Sequence, residues 1–240
     1  RDIPVIGGKM VYVTGGKFIM GSSSSEPGHQ FDEQQHAVEI THGYWVGQTE
    51  LNQDQWLRLR RDNPSVVQGH SLPVDRVSWI DCIRFLRVLN DKTQHFRSTK
   101  QVELGGDMLF RLPTEAEWEH ACRAGRSGAH SCPAHLTNHK GGVQSAMKPT
   151  RRSGQNAWGI YDMHGNAHEW VDDWYGLYGR QTVVNPLGPR QGQFKVLRGG
   201  AYYSVIEDCR SASRLKWEPG RQGAVGVGFR IVLGKPLAGK

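Results

Sequence analysis

The chain has 240 residues, 37% of them hydrophobic, and its 30 Lys and Arg outnumber 23 Asp and Glu to give a formal charge of +7. The basic residues are interleaved with acids rather than gathered in a stripe, which argues against nucleic acid as a partner. No apolar run approaches the ~18 residues needed to cross a bilayer, so no transmembrane segment is expected.

No linker or shift of composition divides the sequence, and a single domain over residues 1–240 is the expectation. Eight Trp with seven each of Tyr and Phe can build a core among loops, and 30 Gly point to an irregular backbone in which scattered arginines are satisfied internally. Cys82, Cys122, Cys132 and Cys209 lack the spacing of a zinc knuckle or a thioredoxin-like site; one disulfide is compatible with them, with no pairing assigned. The chain opens at Arg1 and not at a methionine, so an exported or cell-surface protein with its leader removed is one expectation, and the compartment stays open.

In chain order, Met10–Val13 alternates like a strand, breaks at Gly15-Gly16 and resumes to Gly21, which predicts a hairpin. Residues 22–35, Ser-rich then acidic, read as a mobile loop, and 38–41 and 43–46 as short strands. Thr49 precedes a helical pattern running to Arg61, with Leu51, Gln55, Trp56 and Leu59 near one face. Ser78 and Asp81 outline a capping box, after which Trp79, Cys82, Phe85, Leu86 and Leu89 recur at helical spacing and make Cys82 a small core residue. Thr114 and Glu117 form a second box ahead of Trp118, Ala121 and Cys122, with Gly125 as the stop. Beyond residue 126 no helix longer than a turn is predicted, while 194–198 and 228–233 read as strands that could pair near the centre.

The segment from Trp158 to Trp170 fits neither periodicity. An Asp, a Gly-Asn pair and a Glu among aromatics require a backbone held by its own polar groups or by a metal ion. His164 and His168 have the spacing of a zinc pair, but Gly165-Asn166 between them breaks the helix that such a pair needs.

Taken together, Gly16-Lys-Phe-Ile-Met-Gly21, Pro73-Val-Asp-Arg-Val-Ser-Trp79, Arg111-Leu-Pro-Thr-Glu-Ala-Glu-Trp118, Gly159-Ile-Tyr-Asp-Met-His-Gly-Asn-Ala-His-Glu-Trp170, Leu197-Arg-Gly-Gly200 and Gly228-Phe-Arg230 resemble the signature blocks of the formylglycine-generating, sulfatase-modifying family. The resemblance spans residues 8–234 and implies an α+β, elaborated C-type lectin fold: a small twisted antiparallel sheet, two or three helices and abundant loop. It also implies a structural Ca²⁺ held by the Asp162 and Glu169 carboxylates and the Gly165 and Ala167 carbonyls, with a capped turn and no metal as the alternative. A second calcium site near Asn138 is not carried over, because the spacing there departs from the family pattern.

Formylglycine-generating enzymes hold copper on two cysteines five positions apart. Here the first place is Ser204, and Cys209 alone cannot supply a two-thiolate site. The segment from Leu197 to Arg214, continuing to Arg230, also resembles the variable region of diversity-generating retroelement proteins, which mutate Asn codons at their adenines on a lectin-like platform. Such mutation reaches Tyr, Ser, Val, Ile, Asp, Leu, Gly and Ala. This resemblance implies a face for a protein or other macromolecular ligand made by Tyr202, Tyr203, Ser204, Val205, Ile206, Asp208, Ser213, Leu215, Trp217, Gly223, Ala224 and Val225, with no chemistry performed. The alternative is a non-copper enzyme of the same family oxidising a peptide-derived or siderophore-like substrate, as relatives do in pyoverdine maturation.

Overall fold

The computed structural model describes residues 1–98, 107–141 and 146–237. Among the described residues eleven short strands form three sheets. The first joins β1 (Met10–Val13), β4 (Tyr44–Gly47), β11 (Val232–Gly234) and β5 (Leu109–Arg111) in that order, all antiparallel. The second has the order β10 (Val227–Phe229), β6 (His168–Trp174), β8 (Lys195–Arg198), β9 (Arg214–Trp217), with β10 parallel to β6. The third is β2 (Gly16–Met20), β3 (His36–Ile40) and the two-residue β7 (Val183–Val184). With helices α1 (Gln53–Leu57), α2 (Trp79–Ser98) and α3 (Glu115–Arg123), the class is α+β with much ordered loop. Beyond residue 126 the described helical pieces are two 3-10 turns, Ala134–Leu136 and Ile206–Cys209. Among the described residues no helix is long and apolar enough to cross a membrane.

Helix α2 starts at the expected box: Asp81 accepts from the Ser78 backbone N–H, and Ser78 Oγ accepts from the Asp81 N–H. Its buried stripe of Cys82, Phe85, Leu86 and Leu89 packs on one core cluster, in which the Trp56 and Phe85 rings stack at 5.2 Å. Helix α3 is capped reciprocally by Thr114 and Glu117 and leaves through Ala124, left-handed at φ 47°, one residue before Gly125. All nine of its residues are buried, so it has no solvent face, and its acids must find buried partners. Glu117 is paired with Arg111, and Glu119 with Arg123 and Arg198.

Four expectations are corrected by pairings that a local pattern does not encode. The 10–21 stretch is no hairpin: β1 pairs with β4 and β2 with β3. The chain crosses between sheets at Gly15, where a Cβ would strike the Ile40 carbonyl. Helix α1 begins only after Asn52, which forms a capping box with Gln55, because Leu51 is instead bonded in extended fashion to Phe229 and Val74, and it ends at Leu57. Strand β8 and the 228–233 stretch flank β6 and do not pair with each other, and the latter splits at buried Arg230 into β10 and β11 in different sheets. Residues 22–35 are pinned: Glu33 is buried against Arg210 and Ser22, and Asp32 accepts from the Tyr175 hydroxyl at 2.6 Å. All four cysteines are free thiols; Cys82, Cys122 and Cys209 are buried.

Candidate functional site

The irregular turn after Gly159 is built from left-handed residues, Asp162 at φ 59°, Gly165 at φ 83° and Asn166 at φ 65°. Gly165 is required twice, by its angle and because a Cβ would run into the Asn138 carbonyl. Asn166 offsets its own strain through its side chain, which accepts from Asn138 Nδ2 and the Lys148 N–H and donates to Glu50 Oε1 at 2.9 Å. Asp162 is buried and accepts from the backbone N–H groups of Arg151 and Ser153. Glu169 has both oxygens occupied, by Arg230 at 2.6 Å and, on Oε2, also by Trp118 Nε1 at 2.7 Å.

Three buried carboxylates, Glu50, Asp162 and Glu169, therefore share the field of one buried guanidinium, Arg230. Glu50 Oε2 has no hydrogen-bond partner, and burial, with the Asp162 and Glu169 charges adding, pushes the Glu50 pKa well above the carboxylate range. The crowding of three carboxyl groups and the orphaned oxygen fit a divalent cation; the Arg230 clamp on Glu169 fits one less well, and among the described residues no three His, Cys, Asp or Glu side chains converge as a metal-ligand group.

This turn carries the C-terminal segment directly. The Gly165 N–H bonds the Gly199 carbonyl at 2.7 Å, and the Tyr202 N–H bonds the Asn166 carbonyl at 3.0 Å. Within the segment, anchored and outward residues interleave. Arg198 is buried and reaches Glu119 and the carbonyls of Ser211, Ala212 and Ser213. Arg210 clamps Glu26 and Glu33, and Arg214 clamps Glu115 and the Asp32 carbonyl with its guanidinium 3.9 Å from the Tyr178 ring. Between them Tyr203, Val205 and Leu215 stand 40 to 45% exposed, and Asp208 is exposed as well.

Six of the twelve residues expected on a ligand face, Tyr203, Ser204, Val205, Asp208, Ser213 and Leu215, line one cavity of about 360 Å³ together with His168 and Lys140. Tyr202, Ile206, Trp217 and Ala224 are half-buried outside it, and Val225 is exposed. Gly223 is a correction: it is buried, and a Cβ there would strike the Val77 carbonyl, so it cannot present a side chain. Ser204 is only 8% exposed and faces the cavity floor, where its Oγ accepts the Ala201 N–H at 3.0 Å. Cys209 packs under Gly200, whose added Cβ would lie 2.6 Å from its Sγ, and burial pushes its thiol up to about 12, with the Asp208 and Glu207 charges adding. His164 donates from Nδ1 to the Cys209 carbonyl and accepts the Ser131 N–H at Nε2, whereas His168 faces Ser204, so the two rings serve different neighbours. Sequence reasoning missed His168 and Lys140 in the cavity and Glu50 beside the turn; each lies far along the chain from what it meets, and only the fold brings them in.

The sequence matches the Sulfatase-modifying factor enzyme 1-like domain family over residues 6–235. The chain belongs to this family. It is 39% identical over 126 residues to the serine/threonine-protein kinase pkn1 of Chlamydia pneumoniae, covering 50% of this chain and 20% of that protein. It is 32% identical over 203 residues to the formylglycine-generating enzyme of Thermomonospora curvata, covering 73% of this chain and 60% of that enzyme. The chain thus spans about a fifth of the kinase relative and under two thirds of the enzyme. Among solved structures, Treponema denticola variable protein 1 aligns with a TM-score of 0.84 at 24% identity, covering 98% of each chain. PvdO from Pseudomonas aeruginosa aligns at 0.82 and 24%, covering 97% of each. These likenesses establish the elaborated C-type lectin fold of the formylglycine-generating type.

Proposed function

We propose that the chain is a binding protein that presents a variable C-terminal loop surface to a protein or other macromolecular ligand, in the manner of diversity-generating retroelement variable proteins. The observation that carries this reading is the interleaving along residues 198–217. Arg198, Cys209, Arg210, Ser211 and Ala212 are buried and hold the scaffold, while Tyr203, Val205, Asp208 and Leu215 point outward and are reachable by adenine mutation of Asn codons. Half-buried Tyr202 and exposed Tyr203, in edge contact at 5.1 Å, supply the rigid amphipathic rings that binding surfaces favour. The fold match to a protein whose name is variable protein 1 agrees with this reading without deciding it.

A second reading is favoured by the cavity, since a concave site with convergent polar groups beneath Tyr203 is also what an enzyme of this family needs. In that reading a peptide-derived or siderophore-like substrate sits there, without copper, because Ser204 stands at the first cysteine place and the Cys209 thiol is held protonated by burial.

Calcium belongs to the same proposal. Asp162, Gly165, Ala167 and Glu169 would hold it, with the unpartnered Glu50 Oε2 close to the same turn, and the ion would stiffen the turn from which Gly199 and Tyr202 hang.

Sequencing sibling loci tests the display reading. Differences should concentrate at residues 203, 205, 208, 213, 215 and 225, with C or T at the third codon base, a near-identical template repeat and a reverse transcriptase close by. Changes spread evenly over buried positions, or codons ending in other bases, would refute it.

A further inference from the structure

The interleaving of acids and bases along the chain fails over one span. Asp and Glu make up 23 of the 240 residues, yet none falls between Glu119 and Asp162. Within that span Lys140, Arg151 and Arg152 are exposed and Lys148 is half-buried. The buried arginines of the fold, such as Arg111, Arg123, Arg198, Arg214 and Arg230, are each paired with a carboxylate. Among the described residues Lys140, Lys148, Arg151 and Arg152 enter no ion pair, and the Arg151 guanidinium instead lies 5.1 Å from the Tyr161 ring centroid.

The fold gathers these four around one turn. The Lys148 N–H bonds Asn166 Oδ1 at 2.9 Å, the side chain that also accepts from Asn138, two residues before Lys140. The N–H groups of Arg151 and Ser153, which flank Arg152, bond the Asp162 carboxylate at 2.6 and 3.0 Å. The backbone is thus tied inward while the cationic heads remain without counter-charges. The shoulder they form adjoins the cavity: the Lys140 N–H is held by the Ser204 carbonyl at 2.8 Å, and Lys140 lines the cavity with Tyr203, Val205 and Leu215.

We propose that Lys140, Lys148, Arg151 and Arg152 form a constant anchor for an acid-rich patch on a protein partner, beside the loops whose side chains vary. This rests on the display reading for the class of partner and adds its charge. Unpaired cations at the rim of a binding face attract an acidic partner from a distance and set its approach before the contacts of the face close. A protein is favoured over a uniform polyanion because Asp208 lines the same cavity and Glu207 beside it is exposed. A nucleic acid or an anionic bilayer extended from Lys140 across the cavity would meet those carboxylates, whereas a protein can match each sign and cover the apolar side chains as well.

Binding of the whole chain to immobilised poly-L-glutamate, followed by interferometry, is the test. The variant carries Lys140→Gln, Lys148→Gln and Arg152→Gln; Arg151 is kept because it also covers Tyr161. The control carries Arg61→Gln, Arg87→Gln and Arg190→Gln, three exposed cations elsewhere, and so loses the same net charge. The expected result is affinity that falls with added salt, about tenfold weaker in the shoulder variant and less than about twofold weaker in the control. If the shoulder variant melts early, Lys140→Gln and Arg152→Gln made singly, each weaker by about twofold, carry the same comparison. Equal losses in variant and control overturn the proposal, since net charge alone then explains the binding. Absence of binding at low salt overturns it too, as does tighter, shoulder-dependent binding to phosphatidylserine vesicles or duplex DNA. Residues 140–152 precede the diversified segment, so failure here leaves the sibling-locus comparison untouched, and failure of that comparison leaves these affinities as measured.

Discussion

Replacing Arg198 with Met removes the guanidinium that ties the C-terminal segment to α3 and leaves everything around it in place. In the wild type that group meets Glu119, lies 3.7 Å from Glu115, donates to the carbonyls of Ser211, Ala212 and Ser213 at 2.8 Å each, and sits 5.1 Å from the Trp118 ring centroid. Glu119 retains Arg123 and Glu115 retains Arg214, so neither carboxylate is wholly stranded, but two buried carbonyls and one part-buried carbonyl lose their donor. Breaking a buried pair of this kind costs about 3–5 kcal/mol, which for a chain of this size lowers Tm by roughly 6–20 °C. Calorimetry measures the loss, and hydrogen exchange locates it: protection should fall first across residues 209–214. Arg198→Lys should recover only part, because a single ammonium cannot replace the forked contacts. A Tm within about 2 °C of wild type, or exchange that rises uniformly, would refute the view that this arginine holds the segment.

Glu117, held down to about 2 against the burial penalty by Arg111, contributes stability that is complete above pH 4.5 and lost as pH falls from 4.5 toward 2. His120, lowered to about 4 by burial, acts in the same direction one step earlier: the unfolded chain takes up its proton between pH 6.5 and 4, costing on the order of 1 kcal/mol per pH unit. Denaturant midpoints measured from pH 7 to 3 should therefore decline throughout, and a flat profile between pH 6.5 and 4.5 would contradict the His120 assignment. Gly223→Ala should destabilise by about 1–3 kcal/mol through the clash with the Val77 carbonyl, whereas Leu215→Ser should change stability by less than about 0.5 kcal/mol; comparable unfolding midpoints for the two would dispose of the distinction between them. Asp162→Ala should lower Tm and abolish any chelator-sensitive shift, and an EDTA-insensitive melting curve in the wild type would end the calcium proposal. Lys195→Met removes a buried ammonium 4.1 Å from the Trp79 ring and 4.0 Å from the Trp174 ring. The expected result is a loss of about 1–3 kcal/mol, since the Asp172 carbonyl loses its charged donor, and an unchanged midpoint would mean the contact is neutral.

What could be read in the sequence was what is encoded within a few residues. The Ser78 and Thr114 caps, the buried stripe of α2 and the irregularity around Gly165-Asn166 depend on neighbours in the chain, and they were legible. Strand pairing was not: Gly15 looks like a hairpin glycine until Ile40 arrives beside it. The environment of Asn166 depends on Glu50, 116 residues away, and that of Glu169 on Arg230, 61 residues away. Residues 22–35 looked free because Ser, Gly and Glu favour solvent, yet Glu33 is buried against Arg210, 177 residues later. The cavity follows the same rule. Tyr203, Val205 and Leu215 were in view because their segment carries a recognisable pattern, while His168 and Lys140 become cavity residues only when β6 and the 137–141 loop are brought under it.

Arg198, Arg210 and Arg214 spend their bonds inward on acids that belong to α3 and the 22–35 loop, and none of those bonds involves a side chain at 203, 205 or 215. Exchanging one of those side chains therefore leaves the retaining contacts of the buried arginines intact, and coupling between exchanges is confined to side chains that share the cavity. A chain wired this way can sample many combinations of outward chemistry without drifting toward the edge of foldability, since each new combination inherits the same footing.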